Sequence, residues 1–178
     1  MSLADRSRWD ARHAAVGPAV PMPPDALRGR EELLPAGGRA LDVACGRGGV
    51  AVWLAQRGLA VDAVDVSGAG LDTARALAVR AGVEVRFVEA DLDEGLPVSG
   101  PYDVVVCQRF RDPALYPALA EALAPGGLLV VAVLSEVEDE PGPFRAACGE
   151  LVAAFADLDH LAASEGNGEA ALVARAPA

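Results

Sequence analysis

An acid stands immediately before a glycine-rich turn in the stretch Leu41–Gly49, which reads LDVACGRGG. Glycines permit a sharp turn and let a ligand contact the backbone. The free N–H groups at the start of the helix that follows suit an anionic group, here a carboxylate. Asp42 suits a cationic amine and would repel a pyrophosphate. The stretch therefore predicts a site for the charged end of an amino acid, and the alternative is a tight turn without a ligand.

Acids also end the next two predicted strands. Asp65 follows Gly46 by nineteen residues, a distance at which an acid can accept both hydroxyls of a ribose. Asp91 is the natural partner of the exocyclic amine of adenine, with Leu92 packing on the ring. Each acid has a structural alternative, because Asp65 could cap the following helix and Asp91 could form an Asx turn.

The fourth predicted strand ends in the sequence CQRF, Cys107–Phe110. Its backbone is expected to form the floor of the pocket, with Gln108, Arg109 and Phe110 facing a second substrate. Cys107 is interpreted as a small buried residue rather than a nucleophile, because no base lies near it in the sequence. The cysteines have no metal-type spacing, so no metal site is predicted.

Strands alternate with helices along most of the chain. The predicted strands are Ala40–Ala44, Leu59–Val66, Val83–Ala90, Asp103–Cys107 and Leu128–Leu134, with weaker ones around 157–163 and 169–175. The predicted helices are Gly48–Arg57, Ser67–Ala81, Asp112–Leu123 and Phe144–Phe155. Short connections favour parallel pairing through right-handed crossovers, whereas an Asn-Gly turn joins the last two strands as a hairpin. This pattern predicts an α/β fold with a doubly wound, Rossmann-like, mostly parallel seven-stranded sheet and an antiparallel last strand.

The composition of the chain limits the classes of partner and of chemistry that we expect. The chain has 178 residues, which suits one domain behind a lid or cap segment at 1–35, where a short helix precedes a proline-rich linker at 17–24. A net charge of -11 disfavours nucleic acid, and the lack of lysine excludes a P-loop lysine and Schiff-base chemistry. No long apolar run or secretory signal is present, and three cysteines favour a reducing cytoplasm.

These features together resemble the class I S-adenosylmethionine-dependent methyltransferases, from about Arg39 to Arg175. The resemblance rests on LDVACGRGG, VDAVDVS, EADLDE, YDVVVCQRF and LAPGGLLVV. The best match in the group is the small tellurite-resistance-type methyltransferases, which also tend to begin with a WD-x-R segment like that at 9–12 and to carry a late helix like GELVAAFADL. The resemblance implies a methyltransferase domain at 36–178 and an enzyme with a small-molecule acceptor, as a monomer or a homodimer.

The same resemblance implies S-adenosylmethionine as the cofactor. The implied cofactor-binding residues are Trp9, Arg12, Asp42, Ala44, Gly46, Gly48, Asp65, Val66, Asp91, Leu92 and Cys107. The glycine turn would line the methionine part, and the two later acids would hold the ribose and the adenine. The backbone of Cys107 would lie under the sulfonium, while Trp9, Arg12 and His13 close the site from above. His13, Gln108, Arg109 and Phe110 are the predicted substrate residues.

One departure and two alternatives stand beside this interpretation. Ala44 occupies the position of the first motif glycine, which is tolerable if the backbone there is ordinary. Gly46–Ala51 also fits the nicotinamide pattern G-x-G-x-x-A, and a non-catalytic S-adenosylmethionine binder has the same sequence features. The acceptor stays open, because the acidic loop Ser135–Pro143 could favour a cation or simply be a solvated loop. Arg109 and Arg111 could instead hold an anionic acceptor or pair with surface acids.

Overall fold

The computed structural model describes residues 3–14 and 19–178, without the side chains at 3–5 and 14. Within these residues the strands are β1 (Gly38–Val43), β2 (Leu59–Asp65), β3 (Arg86–Glu89), β4 (Tyr102–Gln108), β5 (Leu123–Leu134), β6 (Asp159–Gly166) and β7 (Glu169–Arg175). The α-helices there are α1 (Leu3–Ala14), α2 (Gly49–Ala55), α3 (Gly68–Ala81), α4 (Tyr116–Glu121) and α5 (Glu150–Ala154). Short 3-10 turns lie at Asp25–Leu27, Glu31–Leu33 and Leu92–Glu94. The predicted linker at 17–24 lies partly outside the described residues.

The strands form a seven-stranded sheet in the order β3-β2-β1-β4-β5-β7-β6. The pairs β1–β2, β2–β3 and β4–β5 are parallel, while β7 is antiparallel to both β5 and β6. The central strands are apolar and buried over most of their length, as expected for a sheet covered on both faces. This architecture confirms the predicted Rossmann-like sheet with an antiparallel last strand.

Local signals explain where several elements begin and end. The Ser67 hydroxyl accepts a hydrogen bond from Gly70 N at 3.0 Å and caps α3, which ends at Gly82 in the left-handed conformation. Asn167 and Gly168 both have positive φ, which is the geometry of a tight hairpin turn between β6 and β7. The predicted cap, stop and hairpin are therefore confirmed.

Two predicted helices are shorter than expected. The helix predicted from Asp112 begins at Tyr116, because the Asp112 side chain accepts from Ala114 N at 3.0 Å within a separate turn. The helix predicted from Phe144 begins only at Glu150. Ahead of it, Ala146 donates its N–H to Leu134 O at 2.7 Å, which extends the chain beside the end of β5. A helix over 144–149 is incompatible with that pairing.

The chain divides into two compact units. Unit 1 comprises the residues up to Pro23 and Pro35–Ser99, and unit 2 comprises Pro24–Leu34 and Gly100–Ala178. The predicted lid at 1–35 thus contributes residues to both units.

In the part of the chain that the structure describes, no helix is long and apolar enough to cross a membrane.

Candidate functional site

The turn after β1 is held in left-handed backbone conformations. Gly46 and Gly48 have φ of 54° and 76°, and Ala44 has φ of 56°. The condition under which alanine would be tolerable at position 44, an ordinary backbone, is therefore not met, and alanine carries steric strain that glycine would avoid there. Gly48 is required for packing, because a methyl group added to it would lie 2.6 Å from Cβ of Ala74.

Asp42 is a buried acid with an unsatisfied oxygen. Its side chain accepts from the backbone N–H of Ala51, while its Oδ2 has no hydrogen-bond partner among the described residues. Burial, together with the nearby charge of Asp65, raises the pKa of Asp42 to about 8. With this pKa the carboxyl of the unliganded protein is mostly protonated at pH 7, and its predicted role toward an amine stays a prediction.

Asp65 joins the glycine turn to the turn after β2. Its Oδ2 accepts from Gly46 N at 2.7 Å and its Oδ1 accepts from Ser67 N at 2.8 Å. A carboxylate has about four lone-pair sites, so Asp65 keeps acceptor capacity beyond these two bonds. Its role toward a ribose stays a prediction, and Val66 beside it is buried.

The acid after β3 forms a local turn. Asp91 accepts from Asp93 N at 3.0 Å and caps the 3-10 turn Leu92–Glu94, which is the Asx-type alternative that the sequence left open. Leu92 is almost fully buried. Contact of Asp91 and Leu92 with adenine stays a prediction.

Helix α1 contacts the loops that follow the strands of unit 1. Arg6 pairs with Glu89 at 2.7 Å, and Asp10 accepts from the Ser67 hydroxyl at 2.6 Å and from Ala69 N at 3.2 Å. His13 lies against the glycine turn, where a methyl group added at Gly46 would be 3.2 Å from its Cε1. The residues 6, 10 and 13 share one helical face. Sequence reasoning assigned no role to Arg6 or Asp10, although this spacing could have revealed them.

The aromatic residues of α1 make contacts among themselves. Trp9 stacks on His13 with ring centroids 5.9 Å apart, and the Arg12 guanidinium lies 5.2 Å from the centroid of the Trp9 ring. Burial lowers the pKa of His13, so its imidazole is neutral at pH 7. Arg12 is exposed and contacts Trp9, and its predicted role toward a carboxylate is untested.

Three of the four predicted substrate residues, Gln108, Arg109 and Phe110, lie in unit 2, whereas His13 lies in unit 1. Gln108 Oε1 accepts from Asp25 N at 2.8 Å, and Arg109 has φ of 58° with a side chain that is 76% exposed. The Cys107 thiol is buried and donates to Phe110 O at 3.5 Å. Burial of Cys107 fits the structural interpretation of this cysteine.

A polar cluster that the sequence did not reveal anchors the loop after β4. Arg111 makes two hydrogen bonds to Glu150, at 2.7 and 2.6 Å, and the Tyr116 hydroxyl donates to Glu150 at 3.0 Å. The Arg111 guanidinium lowers the pKa of Glu150. Arg111 therefore pairs with an acid of its own unit, which was one of the two possibilities left by the sequence.

Among residues 3–14 and 19–178, no group of three or more His, Cys, Asp or Glu could hold a metal ion.

The seven-stranded, mostly parallel sheet is that of the class I S-adenosylmethionine-dependent methyltransferases. Residues 40–127 match the family model described as a methyltransferase domain. The chain belongs to this methyltransferase family, whose cofactor is S-adenosylmethionine.

The individual relatives carry the names of different methyltransferases. The chain is 37% identical over 103 residues to a ubiquinone biosynthesis O-methyltransferase of Caulobacter sp. (strain K31), covering 54% of this chain and 41% of that protein. It is 36% identical over 104 residues to a ribosomal protein L11 methyltransferase of Thermus thermophilus, covering 57% and 41%. The solved structure of TehB from Haemophilus influenzae superposes with a TM-score of 0.74 at 20% identity, covering 85% and 61%. The chain thus spans less than half the length of these two curated relatives.

Proposed function

We propose that this protein is an enzyme that transfers the methyl group of S-adenosylmethionine to a small-molecule acceptor. The observation that carries the proposal is the unpartnered Oδ2 of the buried Asp42. A buried carboxylate without a partner is unfavourable, and an ammonium group brought against it relieves that penalty. The methionine end of the cofactor carries such an ammonium, so the residues of unit 1 fit this ligand.

In this proposal the chain supplies binding and orientation. S-adenosylmethionine, when bound, supplies a methyl group on a sulfonium that is a good leaving group. Asp42 would bind the ammonium, and the turn at Gly46 would let a ligand approach the backbone closely. Asp65 would accept the ribose hydroxyls through its remaining lone pairs while it keeps the glycine turn in place. The position of Cys107 beneath the sulfonium remains a prediction from the family resemblance.

Proximity and alignment would provide much of the rate, because a direct displacement needs no covalent enzyme intermediate. A general base is required only for an acceptor that arrives protonated, and we assign none. His13 is the candidate if one is needed, since its neutral imidazole can accept a proton.

We propose further that the acceptor is a small molecule met in the cytoplasm, by a monomer or a homodimer. The net charge of -11 supports this choice over nucleic acid, whose phosphates such a surface repels. The names of the curated relatives include both ubiquinone biosynthesis and a ribosomal protein, so they leave the class of acceptor open.

Ligand-induced stabilisation tests the cofactor. We expect S-adenosylhomocysteine to raise the melting temperature, and NADH and NADPH to leave it unchanged, because a ligand stabilises the state that binds it. Asp42→Asn keeps the shape and removes the carboxyl that would ionise against the bound ammonium, so it should weaken S-adenosylhomocysteine binding by at least about tenfold. The matched control is Asp62→Asn, which replaces an acid of β2 that is paired with Arg39 at 3.2 Å.

Equal binding by the wild type and Asp42→Asn would show that Asp42 does not hold the ammonium. No stabilisation by S-adenosylhomocysteine would overturn the proposed function. An enzyme is then separated from a non-catalytic binder by turnover, measured as label passing from methyl-labelled S-adenosylmethionine into a panel of small acceptors.

A further inference from the structure

A row of four paired side chains, three of them small and one a glutamine, crosses one face of the sheet in unit 2. Gln108 of β4 pairs with Ala132 of β5, Ala132 pairs with Ala171 of β7, and Ala171 pairs with Ser164 of β6. Directly paired residues on neighbouring strands point to the same face, so these four side chains form one line. All four line a cavity of about 320 Å³. The hollow exists because alanine and serine are too short to fill this face.

The segment Pro24–Leu34 borders the hollow. Asp25 and Ala26 line the cavity, and Asp25 N donates to Gln108 Oε1 at 2.8 Å. Leu27 is fully buried, and Arg175 donates to Leu33 O at 3.2 Å, so both parts of the segment are attached to unit 2. The cavity volume is at the lower end for small-ligand sites and equals about ten waters of liquid volume at roughly 30 Å³ each.

Charges of both signs line this cavity. Arg109 is held at φ of 58° with its N–H donated to Ala132 O at 2.7 Å, a strained conformation of the kind that clusters at functional sites. Its guanidinium lies 3.7 Å from Oδ2 of Asp25, a weak pairing for so exposed a side chain, while Oδ1 of Asp25 accepts from Arg28 Nε at 3.0 Å. The exposed Glu169 contributes a further carboxylate.

We propose that this cavity binds a small zwitterion, an amino-acid-like molecule with one carboxylate and one ammonium group, as the methyl acceptor. The inference rests on the proposed function. Arg109 recognises the carboxylate through paired N–H donors, and Asp25 and Glu169 recognise the ammonium. The row of paired side chains at the floor of the cavity limits the length of the bound zwitterion.

The lining excludes other classes of acceptor. None of the described residues that line the cavity is aromatic, so it has no ring on which a flat aromatic acceptor could stack. A volume of about 320 Å³ does not enclose a long lipophilic chain or a protein segment. A purely anionic acceptor would face Asp25 and Glu169, and a purely cationic one would leave Arg109 without a new partner.

Chemical-shift changes on the nitrogen-15-labelled full chain, saturated with S-adenosylhomocysteine, test the site. The probes are β-alanine, propionate and propylamine, which have similar sizes and differ in charge. We expect β-alanine to shift the amide signals of Ala132, Ala171 and Ser164 with a dissociation constant at least about tenfold lower than those of propionate and propylamine. Each of the other two probes lacks one charged group, and a roughly tenfold weaker binding is expected for the loss of one set of charged hydrogen bonds. Arg109→Gln should weaken β-alanine binding by about tenfold, and Ala171→Leu, which fills the hollow, should abolish it.

Controls separate the site from general effects. Arg75→Gln and Ala76→Leu make the same changes on the exposed face of α3 and should leave β-alanine binding unchanged. If Ala171→Leu does not fold, the exposed Arg109→Gln decides the outcome. Equal binding of the three probes, or β-alanine binding that ignores both cavity variants, would overturn the inference. Binding of S-adenosylhomocysteine without any β-alanine effect overturns the inference alone, whereas failure to bind S-adenosylhomocysteine overturns the proposed function.

Discussion

Two acids, one in each unit, differ in how their oxygens are satisfied: Asp42 is buried and Glu150 is half-buried. Asp42 of unit 1 has one oxygen without a partner, and burial raises its pKa to about 8. Glu150 of unit 2 accepts two hydrogen bonds from Arg111, one from Tyr116 and one from Ala147 N, and Arg111 lowers its pKa. The acid in unit 2 is satisfied by the protein itself, whereas the acid in unit 1 is not.

The difference teaches how to tell a structural acid from a ligand site. A fully hydrogen-bonded acid holds loops together, as Glu150 does for the segment around Arg111. An orphaned acid costs stability and persists where a ligand is to complete it. The predictions below perturb this contrast, beginning with the largest effect.

Asp42→Asn should change the pH dependence of stability. The pKa of Asp42 rises from 3.8 to about 8 on folding, so its contribution is fully present below pH 3.8 and is lost as the pH rises toward about 8. The wild type should lose up to about 1.4 kcal/mol per pH unit across this window. The Asn variant should lack this slope in urea unfolding measured through the same window.

The exposed control Asp72→Asn should keep the wild-type slope. A wild type and an Asp42→Asn variant with parallel pH profiles would mean that Asp42 is already satisfied. The contrast with Glu150 would then disappear.

Gly48→Ala tests how rigidly the glycine turn is packed. The added methyl group would lie 2.6 Å from Cβ of Ala74, and φ is 76°. Overpacking and left-handed strain together should cost about 3 kcal/mol in chemical denaturation. Gly82→Ala is the control, because φ is 67° and no described atom lies within 4 Å of the added methyl group. It should cost about 1 kcal/mol, and an equal loss in both variants would contradict the packing argument.

Glu150→Gln sharpens the comparison from the side of unit 2. The charge that Arg111 faces is removed in a pair whose side chains are 19% and 16% exposed, so unfolding free energy should fall by about 2 kcal/mol. Asp72→Asn breaks a pair that is 48% and 79% exposed and should change stability by less than about 0.5 kcal/mol. If Glu150→Gln stabilised the protein, Glu150 would belong with Asp42 rather than opposite it.

Ala44→Gly is the smallest test and should stabilise. Ala44 has φ of 56°, where the steric penalty of roughly 1–2 kcal/mol exceeds the backbone-entropy cost of glycine, roughly 0.5–1 kcal/mol. We expect a gain of about 0.5 kcal/mol in thermal or urea unfolding. Ala76→Gly, in the right-handed interior of α3, should lose about 1 kcal/mol. A loss at both positions would mean that the turn tolerates alanine without strain.

Local signals made the fold predictable from the sequence. Ser67 and Gly82 marked the ends of α3, and Asn167 with Gly168 marked the hairpin, because each acts through its own backbone neighbours. The helix predicted from Phe144 failed because Ala146 bonds to Leu134, a contact that no local propensity encodes.

The types of residue in the candidate site could be predicted from the sequence, but the partners that these residues contact could not. Asp42 and Asp65 stand out by their place near the ends of predicted strands. That Asp42 lacks a partner depends on burial by several elements, and that Asp10 meets Ser67 depends on a contact across 57 residues. Asp25 and Gln108, 83 residues apart, likewise meet only in the folded chain.

The row of paired side chains at the hollow has an evolutionary consequence. Its four members come from four strands, and a single nucleotide change in the codon of any one of them can place a bulkier or differently charged side chain at the floor of the hollow. Gene duplicates could diverge in acceptor preference by one such exchange, while the glycine turn in unit 1 stays under unchanged selection. Directed libraries restricted to Ala132, Ser164 and Ala171 would sample that divergence without changing the residues proposed to bind the cofactor.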